Sequence, residues 1–348
     1  MPPSAREQAS NANARAVWLA QGLRGARPLP GTTGQLGSTI RIKLDPVGLM
    51  TSLIVRVTLR VDIAGAIGIP GNSAPYNVVT RLRLTDTSTQ DRIVIGGDHA
   101  YAIQAISDRA SGLGQGGLIY SYPKMPTAIG TDQLIDVSYR LNVCGDPRFD
   151  LRGAMYMPNE PNAYLFVDLA PQLLVANDDS AVYKQTSGSV TVNTSTQQPT
   201  VEVWQEFIDG PYPLPVLDLA TKHYLTGTQQ ITNGLQANTE QLIDYPTARR
   251  IRRFLFSQQV DNQQAVGNLA LIRSVVRSNY DSLRMSGVER FVEQRRTLNG
   301  NDLQQGFWFI EHAPEVASAF AREYQAGITP AVTGASQNLV YTFETFGS

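Results

Sequence analysis

Between Ser52 and Ile63 the odd positions are all apolar: Leu53, Val55, Val57, Leu59, Val61 and Ile63. Arg56, Thr58, Arg60 and Asp62 fall between them. A period of two places one set on each face of an extended chain, so this segment is predicted as a half-buried strand. The same alternation recurs at Ile40, Ile42 and Leu44 around Arg41 and Lys43, and at Thr80, Leu82 and Leu84 around Arg81 and Arg83. It returns at Ile135, Val137, Tyr139, Leu141 and Val143, with Asp136, Ser138, Arg140 and Asn142 on the opposite face. Gly, Pro, Asn and Ser clusters separate these runs, and the 29 Gly and 20 Pro of the chain suit many turns. Several such strands predict an antiparallel sandwich or barrel. One helix is expected to interrupt them, at Asp98 to Ala110.

With 348 residues the chain is predicted to divide into two domains of about 150 residues each. Gly210-Pro211-Tyr212-Pro213-Leu214-Pro215 carries three prolines in five positions and cannot continue a central strand, so the boundary is placed there. Beyond it, Arg249 to Val260, Phe307 to Ile310 and Leu339 to Phe346 read as strands, and Val288 to Leu298 as a helix. The two halves end alike. Gln198 to Phe207 lies over Gln337 to Phe346 with Gln, Val and the last Phe identical and Trp204 opposite Phe343, which favours two similar β domains in tandem.

Residues 1 to 24 differ, being rich in Ala, Gln and Asn, with Ala12, Ala16, Leu19 and Leu23 at helical spacing. They read as a short amphipathic helix with Arg6, Arg15 and Arg24 set against Glu7. Gly25 to Gly37 reads as a flexible connection. No run of 18 apolar residues exists. The longest, Ala163 to Val175, is broken by Asp168 and Pro171, so no membrane span is expected. Ala16 to Ala20 is too short for a secretory core, which makes a reducing cytoplasm the default compartment.

Charge and chemistry narrow the function. Lys plus Arg is 29 and Asp plus Glu 30, a formal charge of −1, whereas a protein built to grip nucleic acid needs a basic excess. The single cysteine, Cys144, rules out an internal disulfide framework; it falls on the polar side of an alternating strand and reads as structural, because a reactive thiol needs a partner that lowers its pKa. His99, His223 and His312 lie in no metal spacing. Gly112 to Gly117 satisfies G-x-G-x-x-G but has a helix before it and a strand after it, the reverse of a dinucleotide site. Asp178, Asp179, Glu202 and Glu206 could serve glycoside hydrolysis only at the right separation. Arg249 to Arg253 could touch phosphate, but subunit salt bridges or a solvated strand face explain it equally well. No cofactor and no enzymatic activity are expected.

Leu214-Pro-Val-Leu-Asp-Leu219, the aromatic strand Val201-Glu-Val-Trp-Gln-Glu-Phe207, and the helix Glu289 to Arg296 leading into Gly306-Phe-Trp-Phe-Ile310 together resemble the major capsid proteins of tectiviruses, tailless icosahedral bacteriophages with an internal membrane. The resemblance implies an all-β fold of two tandem eight-stranded jelly rolls. On that reading residues 1–30 form a helical arm and linker, 31–210 the first roll and 211–348 the second. It further implies homotrimers tiling a virion shell assembled in the host cytoplasm. Expected partners are neighbouring trimers, penton and minor capsid proteins and an internal membrane, without direct genome contact. Arg6, Arg15, Val17, Trp18, Leu19, Leu23 and Arg24 would form an arm facing the membrane or a neighbouring subunit. The competing readings are a carbohydrate-binding, glycan-cleaving or receptor-binding β-sandwich protein of a phage, which would cluster its aromatics in one exposed platform, and a cupin-type enzyme, which would need clustered His ligands.

Overall fold

The computed structural model describes residues 22–110, 123–147, 150–210, 221–246, 249–276, 280–297, 303, 306–312, 319–320 and 324–347. Strands β1 (Leu23–Pro28), β2 (Thr32–Thr33), β3 (Thr39–Lys43), β4 (Leu49–Ala64), β5 (Val79–Thr85) and β6 (Asp91–Ile95) lead into helix α1 (Gly97–Ala110). Then come β7 (Gly130–Asn142), β8 (Met155–Tyr156), β9 (Tyr164–Leu169), β10 (Ser189–Val192) and β11 (Thr200–Asp209). The second half runs β12 (Lys222–Leu235), β13 (Gln241–Asp244), β14 (Arg250–Val260), β15 (Leu269–Val276) and β16 (Tyr280–Ser286). It closes with α2 (Gly287–Thr297), β17 (Phe307–Glu311), β18 (Ala319–Phe320), β19 (Tyr324–Pro330) and β20 (Gly334–Gly347).

Strands up to Asp209 build one sandwich. One of its sheets centres on β4, flanked by β7 on one side and by β11 and β10 on the other, with β1 outside β11; the second runs β6-β5-β9-β3. From Lys222 onward a second sandwich sets β12-β20-β14-β17 against β13-β19-β15-β16. The alternation of β4 is realised: its odd-numbered residues from Leu53 to Ile63 are buried, while Arg56, Arg60 and Asp62 are half-exposed. The likeness of the two chain ends also has a structural basis. In each half the last strand lies between the first and the second long strand; Trp204 of β11 faces Pro28 and Ile54, and Phe343 of β20 faces Thr226 and Phe254.

Three expectations change. Leu23 and Arg24, assigned to the leader helix, lie in strand β1, as does the start of the supposed flexible connection, because Leu23–Pro28 pairs residue by residue with β11. The strand is nearly all exposed, so backbone pairing rather than an apolar face holds it. In the arginine run, Arg252 and Arg253 are both buried: a bulge between Ile251 and Arg253 breaks the alternation, so neither lies on a solvated face. Cys144 lies beyond the end of β7 and is fully buried with Leu49, Leu151, Ala154 and Ile208, rather than on a polar strand face. The Pro-rich segment after Gly210, the glycine motif at 112–117 and residues 1–21 lie outside the described residues.

Candidate functional site

The groups that could have done chemistry are dispersed and occupied. The Cys144 thiol sits 3.5 Å from the Thr51 carbonyl, and burial pushes its pKa up, the opposite of an activated nucleophile. Glu202 pairs with Arg56, which also grips the buried Asp136; Glu206 pairs with Arg140 and accepts from Ser52. Asp179 takes Lys184 at 2.5 Å, and Asp178 accepts from Ser180 and Gln259. Among the described residues no group of three or more His, Cys, Asp or Glu could hold a metal ion. Trp308 is buried and Trp204 half-buried, so neither offers an exposed sugar platform.

The structure instead concentrates its polar chemistry in the seam between the two sandwiches. Strand β6 of the first pairs parallel with β12 of the second, Leu225 with Ile93 and Thr226 with Val94, so one sheet runs unbroken from β3 to β17. Helix α1 buries Ala102, Ile103 and Ile106 in the core that the first sandwich shares with Leu255, Phe307 and Phe309 of the second. Its His99, completely buried, places Nδ1 2.9 Å from Thr342 Oγ1 and Nε2 2.9 Å from Ser257 Oγ. Burial lowers the His99 pKa, so the ring is neutral, with one nitrogen donating and the other accepting. Ser107, two turns on, accepts from Arg253 at 2.8 Å.

Arg253 belongs to a buried ionic cluster. It donates to Glu311 at 2.9 Å and to Glu344 at 3.1 Å; Glu344 also receives Arg252 and His223, each at 3.2 Å. Burial opposes the charge on Glu344, but Arg253 and Arg252 outweigh it and hold this carboxyl well below the usual range. Arg252 reaches across to the Gly145 carbonyl at 2.7 Å, and Arg92 of β6 donates to the carbonyls of Gly153 and His223. Tyr224 is covered by two guanidiniums, Arg249 at 3.6 Å and Arg92 at 5.5 Å from the ring centroid. Apolar packing follows the same path: Leu225, Leu255, Phe307 and Phe309 of the second half join the core of the first. Two loops lock the far side, where Asp179 accepts from the Gln264 amide and Asn72 donates to the Gln264 carbonyl.

No protein-family model and no curated protein sequence matches the chain. Solved structures do. The STIV MCP superposes with a TM-score of 0.68 at 10% identity, covering 94% of this chain and 97% of that one. A chain of the PBCV-1 virus capsid gives 0.57 at 12% identity over 93% and 94%. The major capsid protein P2 from bacteriophage PM2 gives 0.51 at 9% identity over 94% and 98%. The chain has the double jelly-roll fold. Its two sandwiches are the two rolls, and the seam is where they join.

Of the arm residues singled out in the sequence, Arg6, Arg15, Val17, Trp18 and Leu19 lie outside the described residues. Leu23 is 76% exposed, and Arg24 donates to the Pro147 carbonyl at 3.2 Å. The seam residues His223, Tyr224 and Glu344 went unnoticed as a group because they come together only in the fold: Glu344 lies 121 residues from His223 and 92 from Arg252. The local signal was Arg252 and Arg253 set against the apolar run Phe254-Leu-Phe256, since arginines drawn inward with such a run demand buried counter-charges.

Proposed function

We propose that this chain is a structural major capsid protein. The observation that carries the reading is the joining of two sandwiches into one block through an unbroken sheet and buried hydrogen bonds from His99, Arg252 and Arg253 across the seam, in a fold aligned over nearly the whole chain with viral capsid proteins. Three such chains place six rolls around an axis, giving a tile with pseudo-hexagonal outline. Tiles of this kind would cover an icosahedral, tectivirus-like virion shell around an internal membrane, assembled in the host cytoplasm, with penton and minor capsid proteins as further partners. The near-neutral charge supports a shell protein without direct genome contact. The arm containing Arg6, Arg15, Val17, Trp18 and Leu19, which precedes Leu23 and Arg24 of β1, would lie on the inner face against lipid or a neighbouring subunit.

Native mass spectrometry of the purified chain tests the reading, with negative-stain imaging of any particles it forms. A trimer at micromolar concentration is expected, with total interfaces of several thousand Å², roughly the size of obligate assemblies. A stable monomer, or turnover of a glycan by the purified chain, would sink it.

A further inference from the structure

Several strand edges in this fold are protected. At β17 side chains seal the backbone: Gln294 of α2 donates to the Phe307 carbonyl and accepts from the Phe309 amide, and Arg290 donates to the Phe309 carbonyl. On β1 and β3 charge guards the edge, through Arg24 and Arg27 on one and Arg41 and Lys43 on the other. Strand β10, Ser189-Val-Thr-Val192, has neither device.

Beside β4, strand β10 continues the line of β11, and the lane outside that line is filled along β11 by β1 and β2. After Thr33 the chain leaves the lane for β3, with the Gly34 amide bonded to the Pro199 carbonyl and the Gly37 amide to the Ala170 carbonyl. Among the described residues no strand lies outside β10. The Asn193 amide donates to the Arg60 carbonyl, so antiparallel alternation turns the backbone of Ser189 and Thr191 toward β4 and that of Val190 and Val192 outward. No described residue bonds those outward N–H and C=O groups. They border a cleft of about 630 Å³ that Leu36, Leu173 and Leu174 also line. Val190 and Leu173 belong to the core of the first roll, and Leu36, Leu174 and Val192 pack against it, so the floor of the cleft is apolar. Its polar lining is amide and hydroxyl, with no charged residue.

We propose that this cleft takes an extended, uncharged peptide segment of another protein, added to β10 as the next strand. Unpaired main-chain groups at every second residue select a peptide: an acyl chain would cover the apolar floor but leave two amides and two carbonyls unbonded. In an antiparallel addition the residues opposite Val190 and Val192 share their face and enter the cleft, while the residue opposite Thr191 faces solvent. The recognised pattern is apolar-x-apolar without charge. This chain's own exposed segment of that pattern, Ile67-Gly68-Ile69, is not free to add. The Gly68 amide bonds the Thr127 carbonyl, the Ile69 amide bonds Gln185 Oε1, and the Ile69 carbonyl accepts from the Lys184 amide. A different protein therefore supplies the strand.

A fluorescent, end-blocked peptide alternating Thr and Val, titrated into the full chain with anisotropy as the readout, tests the site. Saturable binding is expected, weakened about tenfold or more when the Val amides of the peptide are N-methylated, because those amides face β10 in this register. Methylating the Thr amides, which point away, should leave binding unchanged. Val192→Pro should weaken binding to a similar degree without breaking the β4 ladder, since the lost N–H points outward. If that variant does not fold, the two methylated peptides on the wild-type chain decide. No binding by the unmodified peptide, or equal binding by both methylated forms, overturns the inference. Self-association of the wild-type chain that Val192→Pro abolishes would put a second copy in the lane and overturn it as well.

Discussion

His99 and Ser257 lie 158 residues apart in sequence and 2.9 Å apart in space, so a helix inserted in the first roll is hydrogen-bonded to a central strand of the second. The imidazole there is neutral because burial strips the charged ring of water and disfavours its protonated form. Stability should therefore depend on acid in a defined direction. The folded-state pKa of His99 is lowered by burial, and burial takes His312 down to about 4. Groups depressed in the folded state contribute full stability above their ordinary pKa near 6.5 and lose it as the pH falls toward the folded value. Thermal unfolding followed from pH 7 to pH 4 should show a falling Tm, with a slope of up to about 1.4 kcal/mol per pH unit for each histidine. His99→Gln should flatten the profile; an unchanged profile would show that His99 does not titrate in this range.

Removing the charge at the centre of the ionic cluster should be costly. Glu344→Gln leaves Arg252 and Arg253 buried with only part of their compensation, and loss of one partner from a buried pair costs roughly 3–5 kcal/mol. Urea unfolding of the variant should show that drop in midpoint. Glu202→Gln, at the half-exposed end of the Arg56 pair, should cost about 1 kcal/mol or less.

Gly153 has φ of +89°, and a Cβ built there would lie 2.4 Å from the Cβ of His223 and 2.6 Å from its backbone nitrogen. Backbone cannot retreat as a flexible side chain would. Gly153→Ala should therefore push the loop off β12 and lower the yield of folded protein, whereas Gly234→Ala, with nothing within 4 Å, should cost only its own positive φ. Equal soluble yields for the two would contradict the close approach.

Cys144 should react with a thiol reagent only at the rate of global unfolding. Cys144→Ala should cost modest packing energy without loss of assembly, and rapid labelling of native protein would contradict its burial.

Truncations should separate arm from fold. Deleting residues 1–21 should leave Tm unchanged while abolishing salt-sensitive binding to anionic vesicles if the arm meets lipid. Deleting 1–28 removes β1 from the edge of β11 and should destabilise the first roll. Measurements of Tm and vesicle co-sedimentation on both distinguish the two roles.

Much of this architecture was legible because strands that bury one face announce themselves: β4, β5 and β7 show period two, and α1 and α2 begin and end within a residue or two of their expected limits. What escaped was structure stabilised without an apolar face. Strand β1 is exposed along nearly its whole length, and the stretch from Thr226 to Asn233 in β12 is almost entirely polar, so both depend on partners that sequence does not reveal. The bulge at Ile251 hid the burial of Arg252 and Arg253 for a similar reason: one extra residue changes which side chains face inward, and only the paired strand β20 defines it. The candidate site suffered most, since its contacts join residues far apart in sequence: His99 meets Ser257 and Thr342 of the other half, and Arg252 and Arg253 meet Glu344 at separations of 92 and 91 residues.

The parallel joint between β6 and β12 has a mechanical corollary. Two domains tied by a linker alone would hinge, and their relative angle would be free to adapt to its surroundings. Here the backbone ladder, helix α1 and the Arg252 and Arg253 bonds to Gly145 and Ser107 remove that degree of freedom, so the block bends as a stiff plank rather than at a joint. Any curved array built from such planks must take up its curvature between molecules, and a change of radius would have to be accommodated by tilting whole planks against one another.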